Sequence, residues 1–236
     1  MCIAARKNDL SFMDRQDMSQ REFNDEMYAL DQMFAKIEKA AQELGWKESG
    51  RALVLMKYYH DGQTRKGPGK IPYIVHPLLM ACHALAMGLT EDELIATALL
   101  HDVLEDSDAR PEDLDVSAAV IEAVQLLSFF PPDGMDKKEA KKEYFEHMYS
   151  NRIAAIVKLL DRCNNISHMA LAFKPDRLKD YIEETEEFVY PLLEYVRQHY
   201  PEYHNAVFIL KYQMLSVIDS LKKTDLICRG TPVTAR

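Results

Sequence analysis

The stretch Thr90-Glu-Asp-Glu-Leu-Ile-Ala-Thr-Ala-Leu-Leu-His-Asp-Val-Leu-Glu-Asp106 decides the fold. Thr90 followed three residues later by Glu93 has the spacing of a capping box, and it predicts a helix through Ile95, Ala98 and Leu99 to about Leu104. The end of that helix, Leu99 to Asp106, carries one imidazole and three carboxylates. Amphipathic helices seldom gather so many ionisable groups at one end. At helical spacing His101 and Glu105 are four residues apart, as are Asp102 and Asp106, so the two pairs project from neighbouring stripes. Such a cluster invites a cation. Adjacent His and Asp offer one nitrogen and one oxygen donor, which suits manganese, iron or another first-row divalent ion better than calcium.

Working outward, the same period of three to four residues recurs along the chain. Ser19 and Glu22 form a further capping box, and Phe23, Met27, Leu30, Phe34, Ile37, Ala41 and Leu44 follow at helical steps until Gly45. A helix is expected over 47–59, then a loop over His60-Asp-Gly-Gln-Thr-Arg-Lys-Gly-Pro-Gly-Lys-Ile-Pro72. Pro77 near a helix start and Gly88 past its end bracket the next helix, with His76 at its mouth. Helical patterns then cover about 117–129, 137–149, 152–172, 176–199 and 202–222, and Pro191 should kink or divide the fourth of these. No alternating segment is long enough for a strand. The fold class is therefore all-α, a compact bundle of roughly eight to ten helices.

Composition narrows the function classes. With 236 residues, 47% of them apolar, the chain can bury a full core. A formal charge of -9 argues against a partner that is a nucleic acid polymer, while leaving room for a small phosphorylated ligand met by local cations or a metal. Cys2, Cys82, Cys163 and Cys228 are scattered without zinc-ribbon spacing and read as reduced thiols. No apolar run approaches the ~18 residues a membrane span needs, so no membrane partner is expected and the cytoplasm is the default compartment.

An isolated His-Asp pair more often caps a helix than binds metal, but His101-Asp102 is not isolated. Asp161 interrupts the run Ile153, Ile156, Val157, Leu159, Leu160 and so places a carboxylate in or beside the buried stripe of another helix. A buried charge is costly unless it is paired or bound to metal. Either a salt bridge, to Arg162 or another cation, or a metal would satisfy it.

The order His60, His76-Pro77, His101-Asp102, Asp161 resembles the HD superfamily of metal-dependent phosphohydrolases. His60-Asp-Gly-Gln-Thr-Arg-Lys-Gly, Pro72-Tyr-Ile-Val-His-Pro77, His101-Asp-Val-Leu-Glu-Asp106 and Val157-Lys-Leu-Leu-Asp-Arg-Cys-Asn-Asn165 resemble successive motifs of the hydrolase domain of RelA/SpoT-type alarmone enzymes and of small alarmone hydrolases. The resemblance spans about 48–200. Residues 1–18 lack apolar periodicity and are expected to be a tail, 19–45 an N-terminal helix, 46–225 the HD phosphohydrolase domain that the resemblance implies, and 226–236 a C-terminal tail. With the hydrolase-like part filling nearly the whole chain, no synthetase domain is expected.

The resemblance implies that His76, His101, Asp102 and Asp161 hold the metal, commonly manganese. Glu105 and Asp106 would manage the proton of the attacking water or of the leaving group. Arg65 and Lys66 match a pair beside the nucleotide, Lys70 could add a further rim cation, Asn165 matches a nucleoside contact, and Tyr181 roughly matches a tyrosine near the base or sugar. His60, which opens the first motif, is expected to support the ligands from behind rather than to bind the metal itself. Two departures bear on the nucleotide: Asp161-Arg-Cys-Asn-Asn165 stands where many relatives read Asp-Arg-Leu-His-Asn, and Leu127-Ser-Phe-Phe130 where they read Val-Thr-Lys. The expected reaction is removal of pyrophosphate from the 3′ position of ppGpp or pppGpp. The alternatives are the same site acting on (p)ppApp, NADPH or another nucleotide, or a non-catalytic alarmone-binding or antitoxin protein. A homo-oligomer is left open, the N-terminal helix being one surface that could serve it.

Overall fold

The computed structural model describes residues 29–65 and 71–229, and the described chain is all-α. The first helix, α1 (Leu30–Leu44), buries Met33, Ile37 and Ala41 on one face. It ends at Gly45, whose positive φ of 69° closes the turn with N–H contacts back to Ala41 and Gln42. The capping box expected at Ser19 and Glu22 lies outside the described residues, as do Lys66 and Lys70.

Then come α2 (Glu48–Tyr59), α3 (Val75–Ala86), α4 (Asp92–Leu100), the single turn α5 (Val103–Asp106), α6 (Ala118–Leu127) and α7 (Lys137–Met148). The long α8 (Arg152–Ala172) precedes α9 (Pro175–Glu184), α10 (Tyr190–His199) and α11 (His204–Arg229). Between α2 and α3 the chain folds back on itself through one antiparallel bridge, Thr64 to Pro72, flanked by Arg65 N–H to Ile71 O at 2.8 Å and Tyr73 N–H to Gln63 O at 2.9 Å. No strand longer than this bridge occurs among the described residues.

Two helices organise the core. Every residue of α4 from Leu94 to Leu100 is 0% exposed, so this helix has no polar face and must be enclosed. It packs against α2, α3, α6 and α8. In turn α8 buries Ile153, Ile156, Val157, Leu159, Leu160 and Ile166 while contacting α3, α4, α6, α7, α10 and α11. Any polar group midway along α8 and facing α3 or α4 therefore sits at the centre of the molecule.

Three details differ from the sequence-based expectation or sharpen it. The Thr90–Glu93 capping box does not form: α4 begins at Asp92, and its extended N-cap residue, Glu91, makes no side-chain cap bond. Both neighbouring carboxylates are recruited across space instead. Asp92 accepts the N–H groups of Lys47, Glu48 and Ser49 at 2.8, 3.0 and 2.7 Å, capping α2 from another element, while Glu91 accepts from Arg152 at 2.5 Å and Tyr203 at 2.9 Å.

The predicted helix to Leu104 is also interrupted. It stops at Leu100, passes through His101 and Asp102, and restarts as α5, with Asp102 at φ -104°, ψ -3° and its carbonyl accepting from the N–H groups of Glu105 and Asp106. Such bridge-region backbone is sparsely populated and common at functional sites. The division expected near Pro191 is present as a five-residue π-helical turn, Thr185–Val189, with Pro191 in the first turn of α10. A proline cannot donate into the preceding turn, and the wider π turn accommodates this.

Candidate active site

The helix interruption directs His101 and Asp102 at the N-terminal turn of α3 and the middle of α8. His76, second residue of α3, is 2% exposed and its Nε2 lies 3.2 Å from Nε2 of His101. The other nitrogen of each ring is engaged elsewhere: His76 Nδ1 contacts the side-chain oxygen of Asn164 at 2.7 Å, and His101 Nδ1 the carbonyl of Ala98 at 2.9 Å. A carbonyl only accepts, so each Nδ1 carries the proton and each Nε2 presents its remaining valence to the same point.

Two carboxylates complete this convergence. Asp161 Oδ1 lies 3.3 Å from His76 Nε2 and 3.8 Å from His101 Nε2, and Asp102 Oδ2 lies 2.9 and 3.7 Å from His101 and His76. The far oxygen of Asp161 accepts from Lys158 Nζ at 3.0 Å, so the buried carboxylate is balanced by that lysine rather than by Arg162, which pairs with Glu184. Burial works against the charge on Asp161, but the Lys158 ammonium and the two histidines hold its carboxyl well below the usual range. Asp102 is likewise held low against burial, chiefly by His101. Burial pushes His76 down, whereas the two carboxylates lift His101 despite its burial.

The donor atoms of His76, His101 and Asp161 lie within 4.8 Å of one another, and these three could hold a metal ion. Two imidazole nitrogens with carboxylate oxygens match the preference of a first-row divalent cation, and the outward hydrogen bonds on both Nδ1 atoms supply the second-shell orientation such ligands need. The four predicted ligand residues are thus brought together.

Three of them, His76, Asp102 and Asp161, line a cavity of about 800 Å³, a size suited to a nucleotide, while His101 is buried against His76. Arg65 lines it and donates from Nη2 to Asn165 Oδ1 at 2.8 Å, while Asn165 donates to Asp161 Oδ1 at 2.5 Å. Tyr181 faces the same cavity with the Arg162 guanidinium 4.0 Å over its ring and Phe173 edge-on at 5.2 Å. Glu105 and Asp106 stand at the rim. Glu105 accepts from the Phe129 N–H at 3.0 Å, and loss of hydration raises its carboxyl above the ordinary value. His60 is buried behind the site, with Nδ1 2.8 Å from Gln63 Oε1 and its ring 4.7 Å from that of Tyr73.

Sequence reasoning missed the opposite wall. Lys137, Lys141 and Arg177 also line the cavity. Burial, followed by the nearby Lys137, Arg162 and Lys158, depresses Lys141 to about 8, its partner Glu184 being already shared with Arg162. The run Lys137-Lys-Glu-Ala-Lys-Lys142 looks like any solvated helix face, so no local signal marks these residues.

Comparison with known proteins supplies the family. The chain is 34% identical over 173 residues to the bifunctional (p)ppGpp synthase/hydrolase SpoT of Escherichia coli (strain K12), covering 70% of this chain and 24% of that protein. It is 31% identical over 132 residues to the guanosine-3′,5′-bis(diphosphate) 3′-pyrophosphohydrolase MESH1 of Danio rerio, covering 52% of this chain and 72% of that one. The chain belongs to the RelA/SpoT-type HD hydrolases. It spans about a quarter of the length of the SpoT-like relatives it matches. A solved structure described as a metazoan ortholog of SpoT that hydrolyzes ppGpp shares its fold, with a TM-score of 0.59 and 22% identity over 73% of this chain and 94% of that one. No family model matches the chain.

Within this RelA/SpoT-type hydrolase, the two departures noted in the sequence fall in different places. Asn164 does not line the cavity; it is buried and holds His76, so this change supports the histidine pair. Phe129 does line the cavity, with its ring 5.2 Å from Tyr144. No helix among the described residues is long and apolar enough to cross a membrane.

Proposed function

We propose that this protein is a manganese-dependent hydrolase that releases pyrophosphate from the 3′ position of ppGpp and pppGpp, leaving GDP or GTP. The observation that carries the reading is the convergence of two imidazole nitrogens and two carboxylates at a nucleotide-sized cavity with cations on its walls. The names of the relatives point to the same reaction.

In this reading His76, His101, Asp102 and Asp161 hold the ion. When bound, a divalent ion lowers the pKa of water and neutralises charge on the phosphoryl group under attack. The chain supplies the rest. Glu105, whose carboxyl is raised, takes up or returns a proton at the reacting oxygen, with Asp106 beside it. Arg65 packs on the base, Lys66, which follows it in the sequence, adds a cation for phosphate, Asn165 fixes the sugar end through its bond to Arg65, and Tyr181 closes the opposite side. Lys137, Lys141 and Arg177 lie where a second phosphate group would meet positive charge. His60 supports Tyr73 and the turn behind the ligands. Buried free thiols at Cys82 and Cys163, together with a nucleotide substrate, fit a cytoplasmic setting.

One observation favours a second reading with the same metal site. Phe129 lines the cavity within Leu127-Ser-Phe-Phe130, where the resemblance leads one to expect Val-Thr-Lys, which leaves room for (p)ppApp or NADPH as substrate. The deciding experiment measures manganese-dependent product release from ppGpp, ppApp and NADPH side by side, with Asp102→Ala as control. Turnover of ppGpp that the substitution abolishes upholds the first reading. Preference for ppApp or NADPH transfers the assignment to that compound, and metal binding without any turnover would make the protein a binder of alarmones.

A further inference from the structure

We propose that Tyr73 is the positioning residue for Asp102, its hydroxyl fixing the carboxylate in the one orientation that turns Oδ2 toward the two histidines. The inference rests on the metal reading above and concerns how this chain holds its most weakly anchored ligand.

The four ligand residues are not held equally. His76 is tied to Asn164, His101 to Ala98, and Asp161 to both Lys158 and Asn165. Asp102 stands in the gap between α4 and α5, where it makes no side-chain cap bond, and its side chain is 20% exposed, so water competes for its oxygens. Outside the ligand set and among the described residues, the hydrogen bond that restrains it is the one donated by the Tyr73 hydroxyl to Oδ2. That oxygen is the one 2.9 Å from His101 Nε2.

Tyr73 is itself a rigid donor. Its ring lies 4.7 Å from His60 and edge-on to His76 at 6.0 Å. Its N–H bonds to Gln63 O at 2.9 Å, and its carbonyl accepts from the His76 N–H at 2.9 Å. Gln63 in turn contacts His60 Nδ1 and donates to the carbonyl of Asp106, each at 2.8 Å. Gln63 is therefore tied to α5 and Tyr73 to Asp102, and buried His60 and half-buried Gln63 acquire a purpose as the frame behind this tyrosine. A carboxylate with a free rotor must be ordered each time an ion binds, whereas one held by a packed phenol is ordered in advance.

The test is Tyr73→Phe, which keeps the ring contacts and removes only the hydroxyl. Manganese binding to chelator-stripped protein is followed by calorimetry, and the manganese concentration for half-maximal pyrophosphate release is measured beside kcat at saturating metal. We expect both constants to rise roughly tenfold, with kcat at saturation largely restored and the chelated protein melting near the wild type. Tyr73→Leu should weaken manganese binding no further than Tyr73→Phe, since the hydroxyl is the operative group. Unchanged manganese constants in Tyr73→Phe, or a loss confined to melting temperature and kcat, would overturn the proposal while leaving the metal reading intact. Wild-type protein that takes up no manganese would sink both.

Discussion

Nε2 of His76 and Nε2 of His101 face each other across 3.2 Å, each on a ring whose Nδ1 is already committed to an oxygen. Two lone pairs facing each other at that distance repel, and although burial works against charge on His101 the adjacent carboxylates favour its charged form. In the proposed reading a divalent ion lies between the two nitrogens. Manganese at a hundredfold excess over its dissociation constant should therefore stabilise the protein by about 2.7 kcal/mol, seen as a higher melting temperature that a chelator reverses. His101→Ala should lose this increment, and a variant that keeps it would show that the ion binds elsewhere.

The bond from Arg65 to Asn165 joins the loop before α3 to α8 across the cavity and leads on to Asp161. Arg65→Ala should raise KM for the nucleotide roughly tenfold, equivalent to about 1.4 kcal/mol, with a smaller effect on kcat. Arg65→Lys should recover little, because a single ammonium offers neither the planar fork nor the stacking surface. Steady-state kinetics at saturating manganese check both.

Lys141 should give binding in the cavity its own pH dependence. Its amine is depressed to about 8, so it is largely charged at pH 7 and largely neutral at pH 9. If it meets a phosphate, KM should rise through this interval in the wild type and stay flatter in Lys141→Met. The stability effect has the opposite sense. A lysine whose folded value lies below its unfolded one opposes folding at pH values below 8, and that penalty is relieved as pH rises from 8 toward 10.5. Parallel KM and denaturation profiles would separate the two effects.

Asp92 should matter for stability and not for chemistry. Asp92→Ala removes the acceptor of three backbone N–H groups at the start of α2 and of the Ser49 hydroxyl. A loss of about 1–2 kcal/mol in urea denaturation is expected, with kcat unchanged at a temperature where the variant remains folded. A much smaller loss would mean that water replaces the carboxylate at that helix end.

What the sequence discloses and what it conceals divide along one physical line. Asp161 could be singled out because one carboxylate breaks an apolar stripe, but burial alone left a salt bridge or a metal open, and only the family resemblance implied that two histidines stand beside it. The helices were readable from periodicity, and Pro191 foretold the division at Thr185–Val189. Misreadings arose where distant contacts overrode local pattern. Thr90 and Glu93 have capping-box spacing, yet Asp92 and Glu91 between them are drawn to α2, Arg152 and Tyr203. Lys141 sits in a run of charges that any solvated helix could carry, and only the fold turns it inward. Tyr73 lay inside a recognised motif, but its hydroxyl gained a role only once Asp102 was brought opposite.

The apolar character of α4 on every side reaches beyond the finished protein to the ribosome. A nascent chain exposes Leu94 through Leu100 long before α8, which covers one flank and carries Asp161, has been synthesised. Until then this segment is a sticky surface for chaperones or for other copies of itself. Chains cut short before Arg152 should therefore be insoluble, and the cluster of His76, His101, Asp102 and Asp161, assembled from both sides of that cut, is a late product of synthesis.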